Sequence, residues 1–344
     1  MTVRADAESI PWPLAGRIAG RVAGDHPLAR SYHRDVLEAE APGIVAAVTS
    51  LVSEETRLET PEQPEVAVVD RAEWAGRAVA TFSTMLHPQE ERLAEHMGEA
   101  ASTLVAIETG ALLGVMARRV LGQYELVLPT GGSADTVVFV APNVFALERA
   151  HQFRPSEFRT WLALHEACHR AQFLGVPWLR DYFLGLVTDL VAARQTDPDR
   201  WIRMAGRVRD AVLGRRPLVE EDGLFGLFAT EEQAAQVERI QALMCLLEGH
   251  GHVVMDRVGE RILTTQARMS RLLKQRRTDP RTAAFFRLTG MEMKLRQYEL
   301  GEAFVLGVER AAGWEALDVA WSGPDWLPTL DEIEEPERWL ERVA

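Results

Sequence analysis

The stretch Leu164-His165-Glu166-Ala167-Cys168-His169 has the pattern H-E-x-x-H. In a helix, residues four positions apart lie on one face, about one turn from each other. If this segment is helical, His165 and His169 can therefore direct imidazole nitrogens at one metal ion. Glu166 lies beside them and can reach a water on that metal. Two nitrogen ligands, an open coordination position and a carboxylate that takes a proton from water are what a zinc hydrolase needs.

The residues around this motif predict a buried helix. The preceding run 157–164 is apolar on one side and contains neither Gly nor Pro. Pro155 stands where a helix would begin, and Gly175 and Pro177 stand where it would end. The motif would then lie in mid-helix among apolar residues, which suits a metal site inside the protein. The alternative is an ordinary helix whose two histidines cap, pack or form hydrogen bonds.

The other histidine-rich segment, Leu246-Leu247-Glu248-Gly249-His250-Gly251-His252, is the place to look for a third ligand. Apolar residues recur at three- and four-residue steps before it, which predicts a helix. Glu248 and His252 would share one face of that helix, so that one binds the metal and the other supports a ligand histidine. An unpaired carboxylate is costly in so apolar a setting, which favours a metal site. We choose Glu248 as the ligand, because it follows an uninterrupted apolar stretch and should be rigid, whereas His250 stands between Gly249 and Gly251. His252 and His250 are alternative ligands or supporting residues. A solvated Glu248 with both histidines at the surface is the remaining alternative.

The net charge of the 344-residue chain is −13, which argues against nucleic acid and against an anionic membrane surface as partners. The most apolar run, Leu104–Met116, contains Glu108 and is too short to span a bilayer. Gly110 and Gly114 within it are expected to let a buried helix pack closely. The N-terminus lacks the apolar segment of a signal peptide.

The chain contains two cysteines, Cys168 and Cys245, too few for a disulfide framework. We therefore predict a reducing, cytoplasmic location. Both cysteines are expected to be small buried packing residues.

Two β-rich stretches interrupt the helical pattern, Tyr124–Pro129 and Thr136–Pro142, and the Gly-containing segment between them predicts a hairpin. An edge strand can bind an extended peptide through main-chain hydrogen bonds, and Val137–Val140 is the candidate. An ordinary structural hairpin is the alternative. The predicted fold is mainly α, with a small β-hairpin or sheet next to the metal helix. We predict one unit over residues 1–344, with a helical part at about 1–120, a core holding the metal site at about 121–312 and a tail at about 313–344.

The combination of the H-E-x-x-H motif with Glu248 resembles the zincin metallopeptidases of the gluzincin type. The chain more closely resembles a bacterial family of zincin-like hydrolases that is associated with biosynthesis of the deazaflavin coenzyme. The segments that carry this resemblance are Val69-Asp70-Arg71-x-x-Trp74, Val120–Tyr124, Pro142-Asn143, Leu164–Arg170, Val176–Arg180, Met244–Asp256 and Lys294-x-x-Gln297-Tyr298-x-x-Gly301.

This resemblance implies a helical zincin-like fold with zinc as the cofactor. It implies His165 and His169 as zinc ligands, Glu248 as the third ligand and Glu166 as the general base. In gluzincins an acidic residue often stands four positions after the ligand glutamate, whereas this chain has His252 there. The resemblance implies no defined substrate, and the link to the deazaflavin coenzyme is an association only.

We therefore predict a zinc-dependent hydrolase, a metallopeptidase acting on a peptide or protein. Glu166 would accept a proton from the zinc-bound water and pass it to the leaving amine. Tyr298 is a candidate for stabilising the oxyanion, with a tyrosine packed between helices as the alternative. The alternative function is a zincin-like scaffold that binds a partner without turnover. The sequence makes no prediction of the oligomeric state.

Overall fold

The protein is mostly helical, as its computed structural model shows. That structure describes residues 10–60, 63–96, 98–125, 135–192, 231–278 and 292–344, with the backbone alone at 88–96, 190–192, 231–234, 274–278 and 292–298. The helices are α1 (Trp12–Ala23), α2 (His33–Thr56), α3 (Arg71–His96), α4 (Glu99–Ala117), α5 (Ala141–His151), α6 (Pro155–Gly175), α7 (Leu179–Ala192), α8 (Glu231–Ile262), α9 (Gln266–Thr278), α10 (Glu292–Ala312), α11 (Leu330–Glu334) and α12 (Pro336–Val343), with short 3-10 helices at Pro27–Arg30, Trp314–Trp321 and Pro324–Trp326. A three-stranded sheet completes the described part, which confirms the predicted mainly α fold with a small sheet.

The chain forms two compact units, each assembled from separated stretches of the sequence. The described parts of Met1–Gly43, Pro64–Gln152 and Val191–Arg209 form the first unit, and those of Ile44–Gln63, Phe153–Leu190 and Asp210–Ala344 form the second. These bounds differ from the approximate divisions near residues 120 and 312 that the sequence suggested. Whether the chain behaves as a single unit stays a prediction.

The sheet of the first unit consists of β1 (Glu65–Val69), β2 (Gly122–Glu125) and β3 (Thr136–Val140) in the order β1-β3-β2. The predicted hairpin pairing is confirmed, because β2 and β3 are antiparallel. The prediction that Val137–Val140 offers an edge to a peptide is wrong, because β3 is the central strand and also pairs in parallel with β1. All five residues of β3 are buried. Residues 126–134, which include most of the predicted strand Tyr124–Pro129 and the loop after it, lie outside the described residues.

Helix α4 packs closely against α1 in the first unit. A Cβ atom at Gly110 would stand 2.4 Å from the carbonyl oxygen of Ala15, so only glycine allows this approach, as predicted. Helices α2 and α4 are nevertheless long and apolar enough to cross a membrane by length and composition alone. The sequence analysis found the apolar run at 104–116 too short to span a bilayer. The whole of helix α4, which contains this run and has 19 residues, is long enough. Core helices pass the same test, and the absence of a membrane partner stays a prediction.

Residues that carry the family resemblance hold the parts of the first unit together. Trp74 Nε1 donates a hydrogen bond to Gln123 Oε1 at 2.7 Å. Arg71 Nε donates to Asn143 Oδ1 at 2.7 Å, and Asn143 Nδ2 donates to the carbonyl oxygen of Ala117 at 2.8 Å. These side chains therefore link α3, β2, the end of α4 and the start of α5, and their contacts are those of a structural network.

Helices α8 and α10 cross at two glycines in the second unit. A Cβ atom at Gly249 would lie 2.1 Å from the carbonyl carbon of Gly301, and one at Gly301 would lie 1.9 Å from the carbonyl oxygen of Cys245. The two backbones can approach this closely only because neither residue has a side chain. Gly249 and Gly251 do not interrupt α8, so His250 lies in mid-helix.

Helix α6 begins at Pro155 and ends at Gly175, as the sequence predicts. Glu157 Oε2 fixes its first turn by accepting hydrogen bonds from Thr265 N at 2.7 Å and Thr265 Oγ1 at 2.6 Å. The prediction that Cys168 and Cys245 are buried packing residues is confirmed. Helix α6 packs against α8, and this pair of helices builds the site.

Candidate metal centre

His165 and His169 on α6 and Glu248 on α8 bring three donor atoms together. The Nε2 atoms of the two histidines are 3.3 Å apart. Glu248 Oε2 lies 3.6 Å from His169 Nε2 and 3.9 Å from His165 Nε2. Ligand atoms that bind a tetrahedral zinc at about 2.0–2.2 Å stand about 3.3–3.6 Å from one another. The spacing of the three donors is therefore close to that of a metal's ligands.

Small residues line the place where α8 packs against α6. A Cβ atom at Gly251 would lie 3.5 Å from Cys168 Cβ, in ordinary van der Waals contact. Cys168 itself is fully buried. Its burial is the main cause that raises the pKa of its thiol, and the charge of Glu166 is a smaller one. In the absence of a metal the thiol is therefore neutral and acts as a packing group. The side chains whose donor atoms lie together at this crossing are His165, His169 and Glu248.

Gln172 fixes the ring of His169 from behind. Its Nε2 donates to the carbonyl oxygen of Leu247 at 2.8 Å, which sets the orientation of the amide because a carbonyl only accepts. Gln172 Oε1 then lies 3.1 Å from His169 Nδ1 and accepts a hydrogen bond from the N–H at that position. His169 Nε2 consequently presents a lone pair to the cluster. Gln172 was not singled out from the sequence, and its place three residues after His169 was the one available signal.

His250 lies on the far side of Gln172. Its Nδ1 accepts from Gln172 Nε2 at 3.1 Å. Its ring stacks on Trp314 with centroids 5.4 Å apart and meets the edge of Trp321 at 5.2 Å. Burial, and secondarily the charges of Arg257 and His169, lower the pKa of His250 to about 3. A neutral His250 thus supports the cluster through Gln172.

His252 belongs to a second group of candidate ligands. Its Nδ1 lies 3.1 Å from Glu302 Oε2 on α10 and 3.9 Å from Asp256 Oδ2 on α8. Among the described residues, two groups of His and acidic side chains have the spacing of metal ligands: His165, His169 and Glu248, and His252, Asp256 and Glu302. The structure therefore places His252 with acidic partners that the sequence analysis did not identify.

The comparisons with known proteins agree with these observations. The model of the zincin-like metallopeptidase family matches residues 10–340. The chain belongs to this family. A solved structure from Chloroflexus aurantiacus, titled "Crystal structure of a putative hydrolase with a novel fold", has 32% sequence identity and a TM-score of 0.70, and covers 97% of this chain and 98% of that chain. None of the curated proteins matches.

The resemblance to zincin-like hydrolases is thus confirmed, and a zinc hydrolase in general terms is supported. The association with biosynthesis of the deazaflavin coenzyme stays a prediction. The donor set of this zincin-like chain fits zinc, whose common ligands are imidazole nitrogen and carboxylate oxygen. The three donors among the described residues also leave a fourth tetrahedral position for water or substrate.

Glu166 places a buried carboxylate next to this zincin-like cluster. The residue is 4% exposed. Burial by itself lowers the pKa of His169, but the carboxylates of Glu248 and Glu166 and the bond to Gln172 outweigh it, and the pKa is raised. The charge of Glu166 therefore acts electrostatically on His169. The backbone of Tyr298 lies in α10, and its side chain lies outside the described residues.

Proposed function

We propose that this protein is a zinc metallopeptidase that hydrolyses an amide bond of a peptide or protein. The observation that carries the proposal is the convergence of His165 Nε2, His169 Nε2 and Glu248 Oε2 within 3.9 Å, with the buried Glu166 next to His165 in the chain. Zinc bound there would supply a Lewis acid for the scissile carbonyl and lower the pKa of a bound water.

The protein's own residues divide the remaining tasks. His165 and His169 offer neutral Nε2 atoms, and Gln172 holds His169 in the tautomer that leaves this nitrogen unprotonated. Glu248 brings a negative charge into a buried position, 2% exposed, where it offsets the charge of a cation. Glu166 accepts a proton from the attacking water and delivers it to the leaving amine nitrogen, while the carbonyl carbon exchanges its bond to nitrogen for one to oxygen.

Two features of the composition support a proposed compartment and a proposed class of substrate. The two buried cysteines fit a reducing compartment, and we propose a cytoplasmic location for the enzyme. The net charge of −13 favours a peptide or protein substrate over nucleic acid as the partner.

The substitution Glu166→Gln tests the catalytic part of the proposal. It should keep zinc and the fold, and it should lower the rate of peptide cleavage by about 10²–10⁴-fold, because general-base catalysis contributes in this range. A digest of a peptide library, followed by mass spectrometry, measures cleavage. Glu260→Gln is the matched control, because it removes an exposed carboxylate from α8 and should leave cleavage unchanged.

The same experiment separates the enzyme from a scaffold that only binds. If the zinc-loaded wild type cleaves nothing between pH 5 and pH 9, the protein is a zincin-like binding scaffold. If Glu166→Gln cleaves as fast as the wild type, another group is the base. Metal analysis of the His165→Ala, His169→Ala double variant adds a readout that is independent of activity. If that variant retains as much tightly bound zinc as the wild type, His165 and His169 are not zinc ligands and the proposed metal centre is wrong.

A further inference from the structure

We propose that His252, Asp256 and Glu302 form a second divalent-cation site, separate from the cluster around His165. Their donor atoms all lie within 4.8 Å of one another. The mixture of one imidazole and two carboxylates suits zinc and other first-row divalent ions. This inference does not rest on the proposed hydrolytic function, because the second site shares no ligand with the first.

The geometry around His252 is that of a metal ligand set more than that of a simple hydrogen bond. His252 Nδ1 carries at most one proton, which it can donate to Glu302 Oε2 at 3.1 Å. Asp256 Oδ2 lies 3.9 Å from the same nitrogen, beyond hydrogen-bond distance. A cation in place of the proton can bind both carboxylates at once, whereas a proton cannot.

The backbone brings the three residues together. His252 and Asp256 are four residues apart on α8 and therefore share a face. Glu302 directly follows Gly301, whose contact with Gly249 sets the crossing of α8 and α10. The close approach of the two helices thus delivers the carboxylate of Glu302 to the ring of His252. A cation at this position would join α8 to α10 where they cross.

A dedicated hydrogen bond orients the Asp256 carboxylate. Gln266 Nε2 donates to Asp256 Oδ1 at 2.6 Å, which directs the other oxygen toward His252. The amide of Gln266 lies over Gly259, where a Cβ atom would come within 2.8 Å of it. Carboxylates that bind metals are characteristically held by such an outer hydrogen bond. The position of Asp256 is therefore built into the packing of α8 and does not depend on a mobile surface side chain.

Exposure predicts the relative affinity of the two sites. The side chains of Asp256 and Glu302 are each 28% exposed, whereas that of His252 is 3% exposed. A hydrated cation can reach the carboxylates and keep some of its water. With one imidazole instead of two, this site should bind zinc more weakly than the cluster of His165, His169 and Glu248.

Zinc titration of the metal-free full-length protein, followed by equilibrium dialysis and metal analysis, tests the inference. The wild type should bind two zinc ions per chain in two affinity classes. Glu302→Gln should weaken the second class at least tenfold and leave the first unchanged, and Asp256→Asn should do the same while it keeps the acceptor for Gln266. Glu299→Gln is the matched control, an exposed carboxylate on α10 that should leave both classes intact. Circular dichroism confirms that each variant is folded.

The His165→Ala, His169→Ala double variant separates this inference from the proposed function. It should lose the tight class and keep the weak one. A single zinc in the wild type that this double variant loses and Glu302→Gln retains would overturn the second site and leave the first standing. A single zinc that Glu302→Gln loses and the double variant retains would overturn the first site and support the second. Two classes that are both unaffected by Glu302→Gln and Asp256→Asn would also overturn the second site.

Discussion

Gln172 determines which nitrogen of His169 faces the metal cluster, since Gln172 Oε1 lies 3.1 Å from His169 Nδ1 and accepts a hydrogen bond from the N–H there. The amide cannot turn over without placing its oxygen against the carbonyl oxygen of Leu247, which now accepts from Nε2 at 2.8 Å. One side chain thus holds the ring of His169 and joins α6 to α8. Metal-ligating histidines are commonly held in this way through their second nitrogen.

Replacing Gln172 should therefore weaken zinc binding without removing a ligand. We expect Gln172→Ala to lower zinc affinity by about 10–100-fold, the range typical of outer hydrogen bonds to ligands. Competition with a chromophoric chelator measures the affinity. Gln172→Met keeps the length of the side chain but removes the acceptor for His169 Nδ1 and should lose as much affinity as Gln172→Ala, whereas Gln236→Ala elsewhere on α8 should have no effect. Wild-type affinity in Gln172→Ala would show that the amide serves packing alone.

The third ligand can be identified from two single variants. Glu248 Oε2 lies 3.6 Å from His169 Nε2, so we expect Glu248→Ala to lower the affinity of the tight zinc class by more than 100-fold. His252 Nδ1 faces Glu302, so His252→Ala should leave that class within about tenfold of the wild type. Isothermal titration with zinc distinguishes the two. If His252→Ala proves the more damaging for the tight class, His252 is a ligand of the first cluster.

Glu332 should contribute stability that is lost in acid. Burial raises its pKa, but Arg342, with Nε 2.6 Å from Glu332 Oε1, and the bonds to Thr329 outweigh burial and lower it. A pKa lower in the folded than in the unfolded state means that the folded state binds fewer protons in this range. The stabilisation is therefore present above pH 4.5, the ordinary value, and is lost as the pH falls through the folded pKa.

The melting temperature between pH 6 and pH 3 checks this dependence. Glu332→Gln keeps the helix cap with Thr329 but not the charge, so its melting temperature should be lower at pH 6 and should fall less steeply in acid than that of the wild type. Glu337→Gln, at an exposed position on α12, is the control and should follow the wild-type curve. Parallel curves for Glu332→Gln and the wild type would contradict the prediction.

Local signals in the sequence predicted the parts of the fold that depend on one segment. The bounds of α6 follow from Pro155 and Gly175, and the i, i+4 spacing places His165 and His169 on one face. The antiparallel pairing of β2 with β3 also follows from neighbouring segments. By contrast, the pairing of β3 with β1 joins Val137 to Val66 across 70 intervening residues, so the central position of β3 was not predictable.

Contacts between distant helices account for what the sequence did not show at the site. The sequence offers His252 as support for a ligand histidine or as an alternative ligand, because its spacing from Glu248 describes only its own helix. Its partner Glu302 comes from α10 and reaches it through the crossing at Gly249 and Gly301, which no local pattern reveals. Gly249 and Gly251 argue in the sequence against a rigid position for His250, whereas in the structure Gly249 is what allows α8 and α10 to pack there.

The crossing of α8 and α10 should be intolerant of any side chain at Gly301. An added Cβ would lie 1.9 Å from the carbonyl oxygen of Cys245 and 3.0 Å from Gly249 Cα, so the two helices must separate. Overpacking of this kind costs about 1–3 kcal/mol or more, which exceeds the roughly 0.5–1 kcal/mol that alanine gains over glycine within a helix. We expect Gly301→Ala to lower the melting temperature.

Gly185→Ala on α7 is the matched control, because nothing lies within 4 Å of its added Cβ and the same change should raise the melting temperature slightly. Gly249 adjoins Glu248 and Gly301 adjoins Glu302, so a displaced crossing moves a carboxylate of each zinc site. Gly301→Ala should therefore also weaken both classes of zinc binding, whereas Gly185→Ala should weaken neither. A melting temperature that rises in Gly301→Ala as it does in Gly185→Ala would show that the two helices are not in backbone contact.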